Sequence, residues 1–150
     1  MQRQFDSPAA ILLVEDDLAE VRLLQEVFKG APVHTHLHVV REGNEALAFL
    51  RHEAPYQHSP QPALILLSLK LPGMSGHELL AALMRDPALQ SIPALVFTNS
   101  TSPQDIAESY RLGAKSYLFK PFEFMQLVEM VHALTVYWLQ TVTLAPLSFS

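Results

Sequence analysis

Cysteine is absent from all 150 residues, which excludes disulfides and thiol chemistry. Glycine is scarce, at five residues, and no GxGxxG or GxxxxGK loop follows the first apolar run. A nucleotide-binding module is therefore disfavoured. Lys and Arg number ten against fifteen Asp and Glu, for a formal net charge of −5. No basic run stands out, which disfavours a nucleic-acid partner, since binding phosphates needs clustered cations. No apolar run reaches the length of a membrane span. The opening MQRQFDSPAA has one Arg and no long apolar stretch, so no signal peptide is expected. A cytoplasmic domain is the default expectation. What is present is apolar: 49% hydrophobic against 17% charged. That composition argues for a packed core over disorder, with apolar surface to spare for a partner.

The apolar residues fall into a regular alternation. AAILLV (9–14), VHTHLHVV (33–40), ALILLSL (63–69), PALVFTNS (93–100) and KSYLFK (115–120) read as strands. Between and after them lie five helical patterns. DLAEVRLLQEVFKG places Leu18, Val21, Leu24, Val27 and Phe28 at helical spacing and stops at Gly30. GNEALAFLRH (43–52) is short. A helix over 76–86 opens on Ser75 and Glu78, spaced as a capping box. SPQDIAESYRLG (102–113) has a Ser N-cap, Pro at the first helical position and a closing Gly. EFMQLVEMVHALTVYWLQ (123–140) is the longest. EAPYQHSPQP (53–62) reads as a loop and TVTLAPLSFS (141–150) as an arm. No repeat or linker interrupts the chain. The pattern predicts one α/β domain, a doubly wound five-stranded parallel sheet flanked by five helices.

In such sheets ligands bind beyond the carboxyl ends of the strands. That rule selects Glu15 with Asp16 and Asp17, then Ser68, Thr98 and Lys120. The acids suit a hard divalent cation such as magnesium. The Lys120 ammonium and the Thr98 hydroxyl suit an anion beside it, so together the four strand ends can hold magnesium and a phosphoryl group.

LLVEDD, LLSLKLPGMSG, VFTNS and SYLFKP, in that order and spacing, make residues 8–140 resemble the CheY-like receiver domain of bacterial two-component response regulators. The resemblance implies roles. Glu15 and Asp16 match the acidic pair that binds Mg2+, and Lys70 the position whose backbone carbonyl completes the metal site. Thr98 matches the switch hydroxyl, Tyr117 the switch aromatic, and Lys120 the lysine that pairs with a phosphoryl oxygen. Ser68 stands where the family has the aspartate that accepts the phosphoryl group from a kinase histidine. A serine hydroxyl is a weak nucleophile without a base, and its loss of charge predicts weakened magnesium. Lys120 is expected to keep Asp16 as its anionic neighbour.

Three explanations of Ser68 stay open: a pseudo-receiver that signals by binding alone, a variant made or selected to remove phosphorylation, or a serine that takes phosphate from another donor as a stable ester. No enzymatic turnover is expected. A phosphatase of this fold class would place a DxD-type nucleophile at the first strand, and EDD lacks that spacing. A purely structural adaptor would differ from a receiver only in not needing the pocket.

On the last helix, Phe124, Leu127, Val131, Leu134 and Trp138 form one stripe, with Val128, Tyr137 and Leu139 off it. One apolar face is what a surface helix needs, so the excess predicts a homodimer or partner interface through Leu127, Val131, Leu134, Tyr137 and Trp138. TVYWLQTVTLAP also resembles the C-terminal extension of single-domain response regulators that partner bacterial phytochromes. That likeness implies a light-sensing histidine kinase as partner, and dimerisation through the last helix and arm. His34, His36 and His38 alternate in HTHLH and read as solvated residues of an edge strand, with a metal site or a pH response as the rival.

Overall fold

The computed structural model describes residues 8–146. Five strands, β1 (Ala9–Val14), β2 (Thr35–Val40), β3 (Leu64–Leu67), β4 (Ala94–Thr98) and β5 (Ser116–Phe119), alternate with helices α1 (Leu18–Lys29), α2 (Gly43–Leu50), α3 (Gly76–Arg85), α4 (Pro103–Arg111) and α5 (Phe124–Val136). The strands form one sheet in the order β2-β1-β3-β4-β5, and every pairing is parallel. Parallel neighbours need crossovers, and the helices supply them on both faces.

Side-chain alternation along the strands divides the core in two. Leu12, Val14, Ile65, Leu67 and Val96 pack under α2 and α3, with Leu47, Phe49, Leu80 and Leu83. Ile11, Leu13, Leu64, Leu66 and Phe97 pack under α1 and α5, with Leu24, Phe28, Leu127 and Val131. The central strands are apolar throughout because both of their faces are covered.

The predicted caps are present. Ser75 and Glu78 make the reciprocal capping box of α3. Ser102 caps α4 ahead of Pro103. Gly113 follows α4 at φ +103°, a conformation glycine enters without a Cβ penalty. Strands are shorter than the apolar runs implied: β2 begins at Thr35, β3 stops at Leu67 and β4 at Thr98.

The expected last helix, 123–140, divides. It is α-helical to Val136, and Tyr137–Thr141 then form a π-helical turn, closed by the bond from the Val142 amide to the Tyr137 carbonyl at 3.0 Å. Widening the turn to an i→i+5 repeat rotates the chain, and Leu139, off the stripe in an ideal α-helix, becomes buried in the core. Beyond it, Leu144–Pro146 line a hollow of about 410 Å³ with Pro8–Ala10, Pro60–Ala63 and Ser91–Pro93, at the amino ends of the strands. Residues 1–7 and 147–150, the latter part of the expected arm, lie outside the described residues.

The interface expectation needs correcting. Leu127 and Val131 are only 2% and 1% exposed, and Leu134 is also buried. Their spacing forms the face that α5 lays on the sheet, so they seal the core and are not free to meet a partner. Of the five residues, Tyr137 is exposed and Trp138 half-buried, their rings edge-to-face at 5.2 Å.

β2 is an edge strand, as the histidine pattern suggested. His34 and His36 are exposed, and no group of three His, Asp or Glu side chains makes a metal site among the described residues. His38 is half-buried beside His36 and the Phe49 ring. Burial, and then the neighbouring His36, push its pKa below the usual 6.5. The folded chain therefore holds His38 neutral at a pH where the unfolded chain has protonated it. That contribution to stability is complete above 6.5 and is lost as pH falls below it toward the lowered value. Thermal melts between about pH 7.5 and about pH 5.5 should show a smaller loss of Tm for His38→Gln than for the parent. Equal losses would contradict the assignment.

Candidate functional site

The strands end on one rim, at Val14, Leu67, Thr98 and Phe119. The segments leaving it bring Glu15, Asp16, Asp17, Ser68, Lys70, Ser100, Asp105 and Lys120 together with Thr98 around one open cleft of about 760 Å³. The four strand ends singled out from the sequence therefore converge. Registry explains it: Val14 pairs with Leu67, Leu67 with Val96, and Thr98 with Phe119. The first residue after each of β1, β3 and β5 thus reaches the same rim.

The three consecutive acids separate into three tasks. Glu15 turns inward and is 3% exposed. Its Oε1 accepts from Lys120 Nζ at 3.2 Å and its Oε2 from the Asp17 amide at 3.1 Å. Asp17 turns back to cap α1, its Oδ1 accepting from the amides of Ala19 and Glu20. Asp16 also lines the cleft and makes no ion pair among the described residues.

Lys120 reaches the cleft from the far end of β5 with its side chain 12% exposed. Its Nζ lies 3.2 Å from Glu15 and 3.6 Å from Glu20 Oε1, and 5.5 Å from the centre of the Phe97 ring. Its partners are Glu15 and Glu20, not Asp16 as expected. The reason is geometric: Glu15 is the inward residue, and the first turn of α1 carries Glu20 over the ammonium. Glu20 was not anticipated, although a first-turn acid three residues past the Asp17 cap is a visible signal.

Ser68 follows β3 and is held by its amide to the Val14 carbonyl at 3.1 Å. It is 6% exposed. Its hydroxyl opens on the cleft and meets no base among the described residues. Behind it Gly76, the first residue of α3, donates its amide to the Leu69 carbonyl at 2.8 Å. Thr98 is buried, and its Oγ1 accepts from the Ser100 amide at 3.2 Å. Ser100 is the hub of the β4–α4 loop. Its carbonyl accepts from the Tyr117 hydroxyl at 2.9 Å, its Oγ donates to Asp105, and the same Oγ accepts from the Ser102 amide. Thr98 and Tyr117, both expected switch residues, are thereby tied to one loop. Nothing in the local sequence pattern marks Ser100 or Asp105, because their roles arise from tertiary contact. Lys70 lies exposed on the cleft rim.

A tightly held divalent cation needs several charged oxygens. Each Glu15 oxygen accepts one hydrogen bond and keeps a further lone pair, Asp16 lines the same cleft, and Ser68 brings no charge. Glu15 and Asp16 are the carboxylates that could hold a divalent cation here, with the Ser68 hydroxyl where a third charged oxygen would stand.

A parallel five-stranded sheet with an acidic pair, a hydroxyl and a lysine around one rim defines a receiver-type signalling domain. Residues 11–132 match the response regulator receiver domain, and the chain belongs to this family of two-component signalling proteins. It is 42% identical over 144 residues to the response regulator Rcp1 of Synechocystis sp., covering 96% of this chain and 98% of Rcp1. Among solved structures, the phosphorylated cyanobacterial phytochrome response regulator RcpA superposes with a TM-score of 0.87 at 39% identity, over 93% of this chain and 100% of that one. The Mn2+-bound form of Rcp1 superposes with a TM-score of 0.84 at 42% identity, over the same shares. No helix among the described residues is long and apolar enough to cross a membrane.

Proposed function

We propose that residues 1–150 form a single cytoplasmic receiver domain that signals through protein contacts without phosphorylation at the usual position. The observation that carries this reading is Ser68, at the buried end of β3 where the acceptor carboxylate is required. A serine attacks a phosphoryl donor only when a base removes its proton. The buried acid on the same rim, Glu15, is held by Lys120 and the Asp17 amide. Around Ser68 the rest of the pocket persists: Asp16, Thr98 and Lys120 line the cleft, and Tyr117 remains bonded to its loop. Thr98 and Tyr117 serve as the switch pair, and Lys120 as the residue that would meet a phosphoryl oxygen. Glu15, Asp16 and the Lys70 carbonyl are what remains of a magnesium site. Magnesium, when bound, would neutralise a phosphoryl group, but with Ser68 in place its hold is weak.

The partner is a sensor histidine kinase of the bacterial phytochrome type, a reading supported by the likeness to RcpA, itself a phytochrome response regulator. A homodimer is formed through the end of the last helix and the arm, with Tyr137 and Val136 offering exposed apolar surface and Trp138 beside them. Neither nucleic acid nor membrane is a partner. Incubation with acetyl phosphate and Mg2+ should leave the intact mass of this chain unchanged. A phosphoryl group mapped to Ser68 would replace this reading with a serine phosphoester.

A further inference from the structure

We infer that His77, on α3, is a positioning residue for the switch: through Ser109 and Asp105 it holds the β4–α4 loop to which Thr98 and Tyr117 are bonded, and ties that loop to the segment carrying Ser68. The inference rests on the reading of Thr98 and Tyr117 as the switch pair, and extends it to two residues that do not line the cleft. The contacts are continuous. His77 Nε2 lies 2.9 Å from Ser109 Oγ, between α3 and α4. Ser109 Oγ donates to the Asp105 carbonyl, one turn earlier on α4, at 2.7 Å. The Asp105 carboxylate accepts from Ser100 Oγ. Ser100 in turn meets Thr98 through its amide and Tyr117 through its carbonyl. At the other end, His77 follows Gly76, whose amide is bonded to the Leu69 carbonyl and whose Cα leaves no room for a Cβ against the Ser68 carbonyl. The start of α3 therefore moves only with the backbone of Ser68 and Leu69.

Counting hydrogens gives each bond its direction. An oxygen–oxygen approach of 2.7 Å needs a proton on that line, and a serine hydroxyl has only one to give. With that proton on the Asp105 carbonyl, Ser109 can only accept from His77, so Nε2 carries the hydrogen. Ser109 is 0% exposed, and no solvent competes for its lone pair. Helix packing by itself gives no reason for a hydroxyl at this position. Alanine is the better helix former, and a serine bonded back to the preceding turn slightly weakens a helix. The bond to His77 supplies the reason.

Fluorine NMR of the full chain labelled with 3-fluorotyrosine tests this. The chain has four tyrosines, and Tyr117→Phe identifies the Tyr117 resonance. Ser109→Ala and His77→Phe should each move that resonance toward the solvent-exposed position. Either change should raise the population with the Tyr117 hydroxyl released by about three- to tenfold, the effect of one lost hydrogen bond. The double variant should go no further than either single one, because both break the same contact. His77→Gln, which keeps an N–H donor near the same place, should restore the parental spectrum. Arg51→Met, which removes the Arg51–Asp86 pair at the other end of α3, should leave Tyr117 as in the parent. Melting temperatures are read on the same samples. A loss of stability in Ser109→Ala or His77→Phe with Tyr117 unmoved, additive shifts in the double variant, or an equal shift in Arg51→Met overturns the inference. Thr98→Ala tests the underlying reading separately. It should move the same resonance; if it does not while His77→Phe does, the pairing of Thr98 with Tyr117 fails and the relay from His77 stands.

Discussion

Replacing Gly76 by alanine should destabilise the fold by about 1–3 kcal/mol or more and displace Ser68 from the cleft. A Cβ at position 76 would lie 2.3 Å from the Ser68 carbonyl oxygen and 2.6 Å from Leu69 Cα. Both are backbone atoms, so no side chain can swing aside. Alanine is favoured over glycine in a helix by about 1 kcal/mol, but at this helix start the steric term is larger and of opposite sign. Gly43 is the internal control. There a Cβ would meet the Met74 side chain, at 2.8 Å from Sδ, and methionine adapts its shape readily. Gly43→Ala should therefore cost much less. Chemical denaturation of both variants checks the ranking, and equal costs would contradict it.

Truncating Leu127 to alanine should cost about 2–5 kcal/mol of monomer stability. The side chain is buried with Val131, Leu134 and Leu139 between α5 and the sheet. The cost combines lost burial with the cavity left behind. An interface role would show differently: melting temperature would depend on protein concentration, and the truncation would change the elution volume of a still-folded protein. Tyr137→Ala is the contrasting variant, exposed on the π-helical turn. It should leave monomer stability nearly unchanged and weaken self-association. Size-exclusion chromatography with thermal melts at two concentrations separates the two outcomes.

The sequence carried the fold because its signals were local and mutually consistent. Apolar runs alternating with helices capped at Ser75 and Ser102 implied a parallel sheet covered on both faces, though not its strand order. The cleft was legible for the same reason: ligand-binding residues of parallel sheets lie at strand ends, and strand ends can be read from apolar runs. Three further features were not legible. Which apolar residues of α5 face the sheet depends on docking, and the π-helical turn that brings Leu139 inward has no periodic signature. The choice of Glu15 and Glu20 over Asp16 as partners of Lys120 depends on which way each side chain turns after Val14. The Ser100 hub joins atoms from β4, α4 and β5, which no window of sequence contains.

The central claim is that Ser68 alone blocks an otherwise competent phosphotransfer pocket. Intact mass after incubation with acetyl phosphate and Mg2+, for this chain beside Ser68→Asp, tests it most directly. The account predicts one added phosphoryl group on Ser68→Asp and none on the parent. If neither protein gains a group, the reading of Glu15, Asp16, Thr98 and Lys120 as phosphotransfer machinery is contradicted.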